Sequence, residues 1–379
     1  MSILIEDTAR NNLVGWTLEA MNAGHVRGAI ISPFTTPRIK SHKQGGQQTA
    51  ERLLGGGAEA WFDPVTHALQ MPNVGDLRYY ADWDLWEGMV GALTTRAEQV
   101  SHVRRVFKVQ DDLGVPHLGP TILLHSAQST TSERALEVAQ AAVDEDPGCR
   151  LSIAGDSAFW SGGAALDAHV GALAQLEPGG WFISVVRSLS VLPVPAMAEE
   201  VHGLCRTVRS LSEDGPVHVS HGDLAGLPAV VAGAATLGTG WDPRQRAMAY
   251  ANYAARDTGG DGGQWFVQTT VRGLLSLLKR SEAQVLAAQN GALAARLLPG
   301  AVPPGASGAF LHHAQVLAEL VSSINPPGQT AYRTLHALYN AARADWATVS
   351  AIIGGGSRAD AWLRELQAGL DLYAITEGW

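Results

Sequence analysis

No Cys-x-x-Cys pair occurs in the 379 residues, and the only cysteines are Cys149 and Cys205. A structural zinc site built on thiolates is therefore excluded, and so few thiols suit a reducing compartment. No run of about 18 apolar residues marks a membrane span. The opening MSILIEDTARNN has no basic segment followed by an apolar stretch, so it does not read as a secretory signal. Positive charge is scarce: 27 Lys and Arg face 36 Asp and Glu, for a net −9. That balance argues against a nucleic-acid backbone as the main partner, since phosphate binding needs a basic footprint. The sequence also has no Walker loop, no G-x-S-x-G, no HxH and no HExxH. The absences predict a cytoplasmic protein with no metal and no membrane partner.

What is present is apolar residue in quantity, 46% of the chain, enough for a sizeable core. Short β-rich runs at 2–5, 28–32, 59–62, 121–124, 150–154, 181–186, 217–219 and 236–237 alternate with helical stretches. Regular βα alternation predicts a parallel sheet, because parallel neighbours need crossover connections. Eight such units in this length predict a (β/α)8 barrel, with a doubly wound open sheet as the structural alternative. The first run is the weakest, and 264–267 (QWFV) is the reserve candidate for the eighth strand. Beyond about residue 243 the chain reads as almost wholly helical, broken by Gly/Pro clusters at 298–308, 324–329 and 354–357. The expected organisation is a barrel over 1–268 with a helical C-terminal extension over 269–379.

Barrel chemistry sits at the C-terminal ends of the strands, and the last two βα loops often hold a phosphate. Residues 216–246 read PVHVSHGDLAGLPAVVAGAATLGTGWDPRQR. On this reading His221-Gly222-Asp223 follows strand seven, and Gly238-Thr239-Gly240 follows strand eight with Arg244 and Arg246 just beyond. Glycines admit close backbone approach and helix starts offer free N–H groups, so Gly238, Thr239, Gly240 and Arg244 are candidate anion ligands. Arg38 and Lys40 join them. They lie in SPFTTPRIKSHKQGG after strand two, within a stretch, 20–50, that has no acidic residue.

Two families resemble this stretch. Pro216-Val217, Gly222, Gly233-Ala234 and Gly238-Thr239 follow the pattern of flavin- and nucleotide-binding barrels similar to nitronate monooxygenase and inosine monophosphate dehydrogenase. That resemblance implies an oxidoreductase with FMN or a nucleotide phosphate held by residues 216–246. The glycine turn after strand seven, followed by GWDPRQR, resembles the tRNA-guanine transglycosylases. AWFDPVTHALQ (60–70) adds Asp63 at a strand end with Gln70 following. Asp63 matches by position the Asp of that family's DSGGFQ-like segment, which recognises the base and serves as acid or base.

The transglycosylase resemblance implies a covalent glycosyl exchange on a purine or 7-deazapurine base or nucleotide, with no cofactor. A gapless match puts Gly238 where the family has its nucleophilic Asp. Asp242 can replace that group only if the loop turns it inward. The three-Cys, one-His zinc site that tRNA-acting members carry after the barrel is missing, which puts a tRNA substrate in question. The divergent members, including those in bacterial defence operons, resemble the pattern better.

Read from the residues, IAGDS (153–157) sets Asp156 at a later strand end as a second carboxylate able to accept N–H groups of a purine-like base. Gln70, His221 and Gly222 complete the expected base-binding set. His67, His125 and His221 lie at or past strand ends and, with Asp63 and Asp156, are candidates for a metal site or for acid–base work, though no HxH or HExxH spacing supports a metal. Tyr79, Tyr80, Trp83 and Trp86 suit stacking on a planar ligand, covering the mouth, or a subunit interface in a homodimer. A non-catalytic barrel that binds a protein partner is the third reading, and the missing nucleophile is its clue.

Overall fold

A computed structural model describes every residue except 1, 7–12, 41–43, 76–78, 190, 255–267, 301–304 and 355–359. The barrel strands are β1 (Ser2–Glu6), β2 (Gly28–Ile31), β3 (Glu59–Phe62), β4 (Leu123–Leu124), β5 (Arg150–Asp156), β6 (Gly180–Val186), β7 (Val217–Ser220) and β8 (Thr236–Thr239). All eight fall where the sequence places them. The reserve strand at 264–267 lies outside the described residues. The hydrogen-bonded order is β3-β2-β1-β8-β7-β6-β5-β4, every pair parallel, with β1 and β8 joined. The chain is a (β/α)8 barrel, not an open doubly wound sheet, because the first and last strands pair.

The crossovers are α1 (Leu13–Asn22), α2 (Gly46–Gly55), α3 (Arg96–Leu113), α4 (Thr130–Glu145), the short α5 (Ser157–Trp160) with α6 (Ala164–Ala174), α7 (Ala198–Leu211) and α8 (Leu227–Ala232). The longest of these, α3, starts at a capping box, Thr95 with Glu98, and stops at Gly114 in the left-handed region.

One seam has no backbone ladder among the described residues, that between β3 and β4. A side chain closes it. Gln110 of α3 is fully buried, and its Nε2 donates to the carbonyls of Phe62 and Leu118, both at 3.0 Å. Its Oε1 accepts the Leu118 N–H at 3.1 Å. Gln110→Leu keeps the bulk but strands three buried backbone groups. It is expected to lower stability by about 3 kcal/mol in urea denaturation.

Strand parity explains the barrel's two sides. Leu4, Ile30, Trp61, Leu118 and Phe182 form a small cluster separate from the main core. The intervening Ile3, Ile5, Ile31, Phe62, Ile183 and Val219 belong to the large core shared with the helices. The small cluster is the barrel interior. Arg150 lies over the Trp61 ring, 4.1 Å from its centroid, and His218 packs on Phe182. Two residues on from Leu4, Trp61, Phe182 and His218, the same parity gives Glu6, Asp63, Ser184 and Ser220, all buried. The interior thus turns from apolar to polar at the C-terminal ends of the strands.

After β8 come the short helices α9 (Pro243–Arg246) and α10 (Tyr250–Tyr253), and then a departure from the helical expectation. Strands β9 (Gln268–Val271) and β10 (Ser276–Lys279) form an antiparallel hairpin. Each is too short to show a period in sequence. Helices α11 (Arg280–Gln289), α12 (Gly291–Leu297), α13 (Gly305–Ser323), α14 (Gln329–Ile353) and α15 (Ala361–Thr376) follow. They pack on the barrel: α13 against α1 and β9, α14 against α8, and α15 against α7. Among the described residues no helix is long and apolar enough to cross a membrane.

Candidate active site

Glu6 ends β1 and is 1% exposed. Its Oε1 accepts the His221 backbone N–H at 2.9 Å, with His218 Nε2 at 3.5 Å and His221 Nδ1 at 3.7 Å. Burial alone would raise its pKa, but the two imidazoles and the His221 N–H outweigh burial and hold the carboxyl below its usual range. Gly238 on β8 makes room for it. A Cβ at 238 would stand 1.8 Å from Glu6 Oε1, so any side chain there displaces the carboxylate. The space that the transglycosylase resemblance fills with a strand-eight Asp holds instead a carboxylate from the neighbouring strand.

Asp63 follows β3 and is buried, its Oδ1 accepting the Val65 N–H at 2.8 Å. Burial pushes its pKa up to about 7, against the pull of that hydrogen bond, and the Glu6 charge adds to the rise. Asp63 therefore keeps its proton up to neutral pH while Glu6 loses its own. His67, also buried, has no hydrogen-bond partner at Nε2 among the described residues, and burial with the neighbouring His221 lowers its pKa to about 3. Ser220 Oγ lies 2.6 Å from His221 Nδ1. Backbone strain gathers here too. Val65, His221 and Asp223 all have positive φ, at 48°, 52° and 44°, where non-glycine residues are costly. Among the described residues no group of His, Cys, Asp or Glu is arranged to hold a metal.

The other sequence candidates have different surroundings. Asp242 is buried, and its Oδ1 accepts the Arg244 N–H at 2.9 Å at the start of α9. That contact holds the carboxylate against the first turn of α9. Arg244 lies 3.7 Å from the Asp242 carboxylate. Thr239 Oγ1 donates to Asp223 and meets His313 of α13, so it serves the extension. Gly240 leaves space for Gln245, whose Oε1 accepts the N–H groups of Trp241 and Asp242 and whose Nε2 donates to the Glu6 carbonyl. An anion over Gly238 would meet the Glu6 carboxylate, an arrangement opposite to a phosphate cup.

Asp156 ends β5, where its Oδ1 accepts the N–H groups of Ala158 and Phe159 and its Oδ2 faces His125. Both oxygens are engaged, so the group it offers a ligand is the imidazole of His125 rather than its own carboxylate. Gln70 turns back on its own helical turn, its amide within reach of the His67 and Thr66 carbonyls. Gly222, with φ −70°, sits between the two strained residues of its loop. Arg38 approaches the Trp83 carbonyl at 3.5 Å and Asp112 at 3.8 Å, and Lys40 is exposed. His42 and Lys43 lie outside the described residues. Of the aromatic loop, Tyr80 and Trp83 are buried against Phe34 and Phe62, and Trp86 stacks on His102. Tyr80 and Trp83 thus belong to the large core.

Sequence reasoning passed over Glu6, His218 and Ser220. The available signal was position: Glu6 and Ser220 stand at the same parity as Leu4 and His218 two places earlier, and His218 packs on the interior Phe182.

Comparison with known proteins finds no matching family and no matching curated protein. Among solved structures, a psychrophilic glycoside hydrolase family 10 endo-β-1,4-xylanase is similar at 10% identity and TM-score 0.34, covering 64% of this chain and 86% of that one. A probable tagatose 6 phosphate kinase from Sinorhizobium meliloti 1021 is similar at 11% identity and TM-score 0.34, covering 100% and 98%. Likenesses this distant carry nothing about chemistry, and no relationship to the transglycosylases emerges from them.

Proposed function

We propose that this barrel breaks or exchanges a glycosidic bond, with Glu6 and Asp63 as its carboxylate pair. The supporting observation is that the two carboxyls, electrostatically coupled at the polar end of the barrel, are driven to opposite protonation states. Pairs of acids pushed apart in this way divide the roles of anion and proton donor. In this reading the Glu6 carboxylate attacks the sugar carbon. The bond to the leaving group breaks, and the Asp63 proton passes to the departing atom. A purine or 7-deazapurine base as leaving group makes the reaction transglycosylase-like, with Glu6 in the part the resemblance gives to an Asp on strand eight.

The test compares two substrate classes, purine nucleosides and p-nitrophenyl glycosides. Nitrophenolate leaves without a proton, whereas a purine needs one. Glu6→Gln is expected to lose about 10³-fold on whichever class turns over, on the scale of removing a nucleophile. Asp63→Asn is expected to lose about 10²-fold or more on nucleosides and far less on nitrophenyl glycosides. Wild-type rates in Glu6→Gln would overturn the proposal.

A further inference from the structure

A second ionisable pair stands on the other side of the mouth, and the roles just assigned leave it unused. In the parallel register of β4 and β5, Leu123 pairs with Ala154 and Leu124 with Gly155. The next residues along the two strands are His125 and Asp156. His125 Nδ1 lies 2.5 Å from Asp156 Oδ2. Asp156 is not a loose surface partner. The N–H groups of Ala158 and Phe159 hold its Oδ1 at 3.0 and 3.1 Å, which fixes the plane of the carboxylate. The carboxylate end is partly shielded, 22% exposed, while the imidazole is 57% exposed. Among the described residues His125 Nε2 makes no hydrogen bond.

A neutral imidazole has one N–H and one lone pair. A carboxylate at Nδ1 takes the N–H, so the lone pair is at Nε2, on the exposed side of the ring. Exposed ion pairs in general contribute little to stability, so a stability role does not explain the fixed geometry. The location does. In a ring of eight strands β5 stands opposite β1. A group leaving the sugar carbon on the side away from Glu6, and the group replacing it, both pass the β4–β5 side.

We propose that His125 is the base that activates the incoming acceptor, with Asp156 as its positioning residue. The acceptor is a molecule with an O–H or N–H, such as water or a nucleobase. This rests on the glycosyl reading above. In the second step the acceptor's proton moves to His125 Nε2. The acceptor atom bonds to the sugar carbon, and the bond from that carbon to Glu6 breaks, restoring the carboxylate. His125 then returns the proton to solvent.

Two measurements separate this inference from the reading on which it rests. The first needs no substrate. Diethyl pyrocarbonate acylates an imidazole at an unprotonated nitrogen, and peptide mass mapping gives the rate at each histidine. His125 is expected to react at least about tenfold faster in the wild-type protein than in Asp156→Asn. The Asn side chain keeps its oxygen on the Ala158 and Phe159 N–H groups and turns an NH₂ toward Nδ1, which forces the N–H onto Nε2. Equal rates overturn the dyad whatever the protein catalyses. The second is steady-state release of nitrophenolate. His125→Gln is expected to lose about 10²-fold, and added imidazole to restore at least about tenfold of it. Unchanged turnover in His125→Gln overturns the role. A wild-type protein that releases no nitrophenolate and cleaves no nucleoside overturns the glycosyl reading and this role with it.

Discussion

Arg246→Ala is expected to lower the unfolding free energy by about 3–5 kcal/mol, on the scale of removing one partner of a buried ion pair. Arg246 Nε donates to Asp223 Oδ2 at 2.6 Å and its second nitrogen to Oδ1 at 3.2 Å, with both side chains 4% exposed. Thr239 Oγ1 donates to the same Oδ1 at 3.2 Å, and His313 Nε2 lies 3.4 Å away. Burial, with the Arg246 cation adding to it, lowers the His313 pKa to about 3, so in the wild-type protein the charge that faces Asp223 is that of Arg246. In the wild-type protein Arg246 and the surrounding hydrogen bonds overcome burial and keep the Asp223 pKa below its usual value. Without Arg246 burial wins, and Asp223 takes up a proton more readily.

The loss in Arg246→Ala is therefore expected to shrink as pH falls and the stranded carboxyl takes up a proton. Urea denaturation at about pH 5 and pH 8 checks this, and a loss that does not change with pH would count against a stranded charge. Because His313 Nδ1 meets Thr270 of the β9–β10 hairpin, the same network ties the extension to the loop that carries His221. Looser placement of His221, and so of Glu6, is expected to accompany the loss of stability.

The two arginines show what a sequence conceals. Arg244 and Arg246 after a glycine-rich strand end read as cations waiting for an anion, because spacing alone does not reveal that Asp242 and Asp223 already face them. Gly238 likewise reads as a close approach to a phosphate. The approach is real, but the group approaching is Glu6, 232 residues earlier in the chain. The strands were legible for a physical reason. Parallel strands covered on both faces need short apolar or β-branched runs, and GAII, EAWF and GWFISVV are such runs. Asp63 was legible because it directly follows one of them. Glu6 follows another, SILI, but with Asp7 beside it the glutamate reads as part of a solvated acidic turn. The seam residue Gln110 was invisible, since a glutamine in mid-helix reads as a solvated side chain until the strand gap beneath it is seen.

Asp63→Asn is expected to abolish proton donation and, at neutral and alkaline pH, to make the protein more stable. The sign follows from the Asp63 pKa, raised from its usual 3.8 to about 7. Between those values the folded protein holds a proton that the unfolded chain has released, so this site makes stability fall as pH rises through the interval. Above about pH 7 the cost is fully present, on the order of 4 kcal/mol as an upper figure. Asparagine cannot ionise, and its oxygen can still accept the Val65 N–H. The buried histidines work in the opposite direction. His67, His102 and His313 have pKa values of about 3, 4 and 3, and each makes stability rise with pH up to its usual 6.5. They are common to both proteins, so the difference between the two pH–stability curves isolates position 63. That difference is expected to be small near pH 4, to grow steadily, and to level off above about pH 7 at several kcal/mol in favour of Asn. A difference that stays constant from pH 4 to pH 8 would mean that Asp63 titrates normally, and a protonated acid at neutral pH would be lost to the mechanism. A rising difference means that the fold maintains, against its own stability, a protonated Asp63 at neutral pH, the proton donor that the proposed glycosyl transfer calls for.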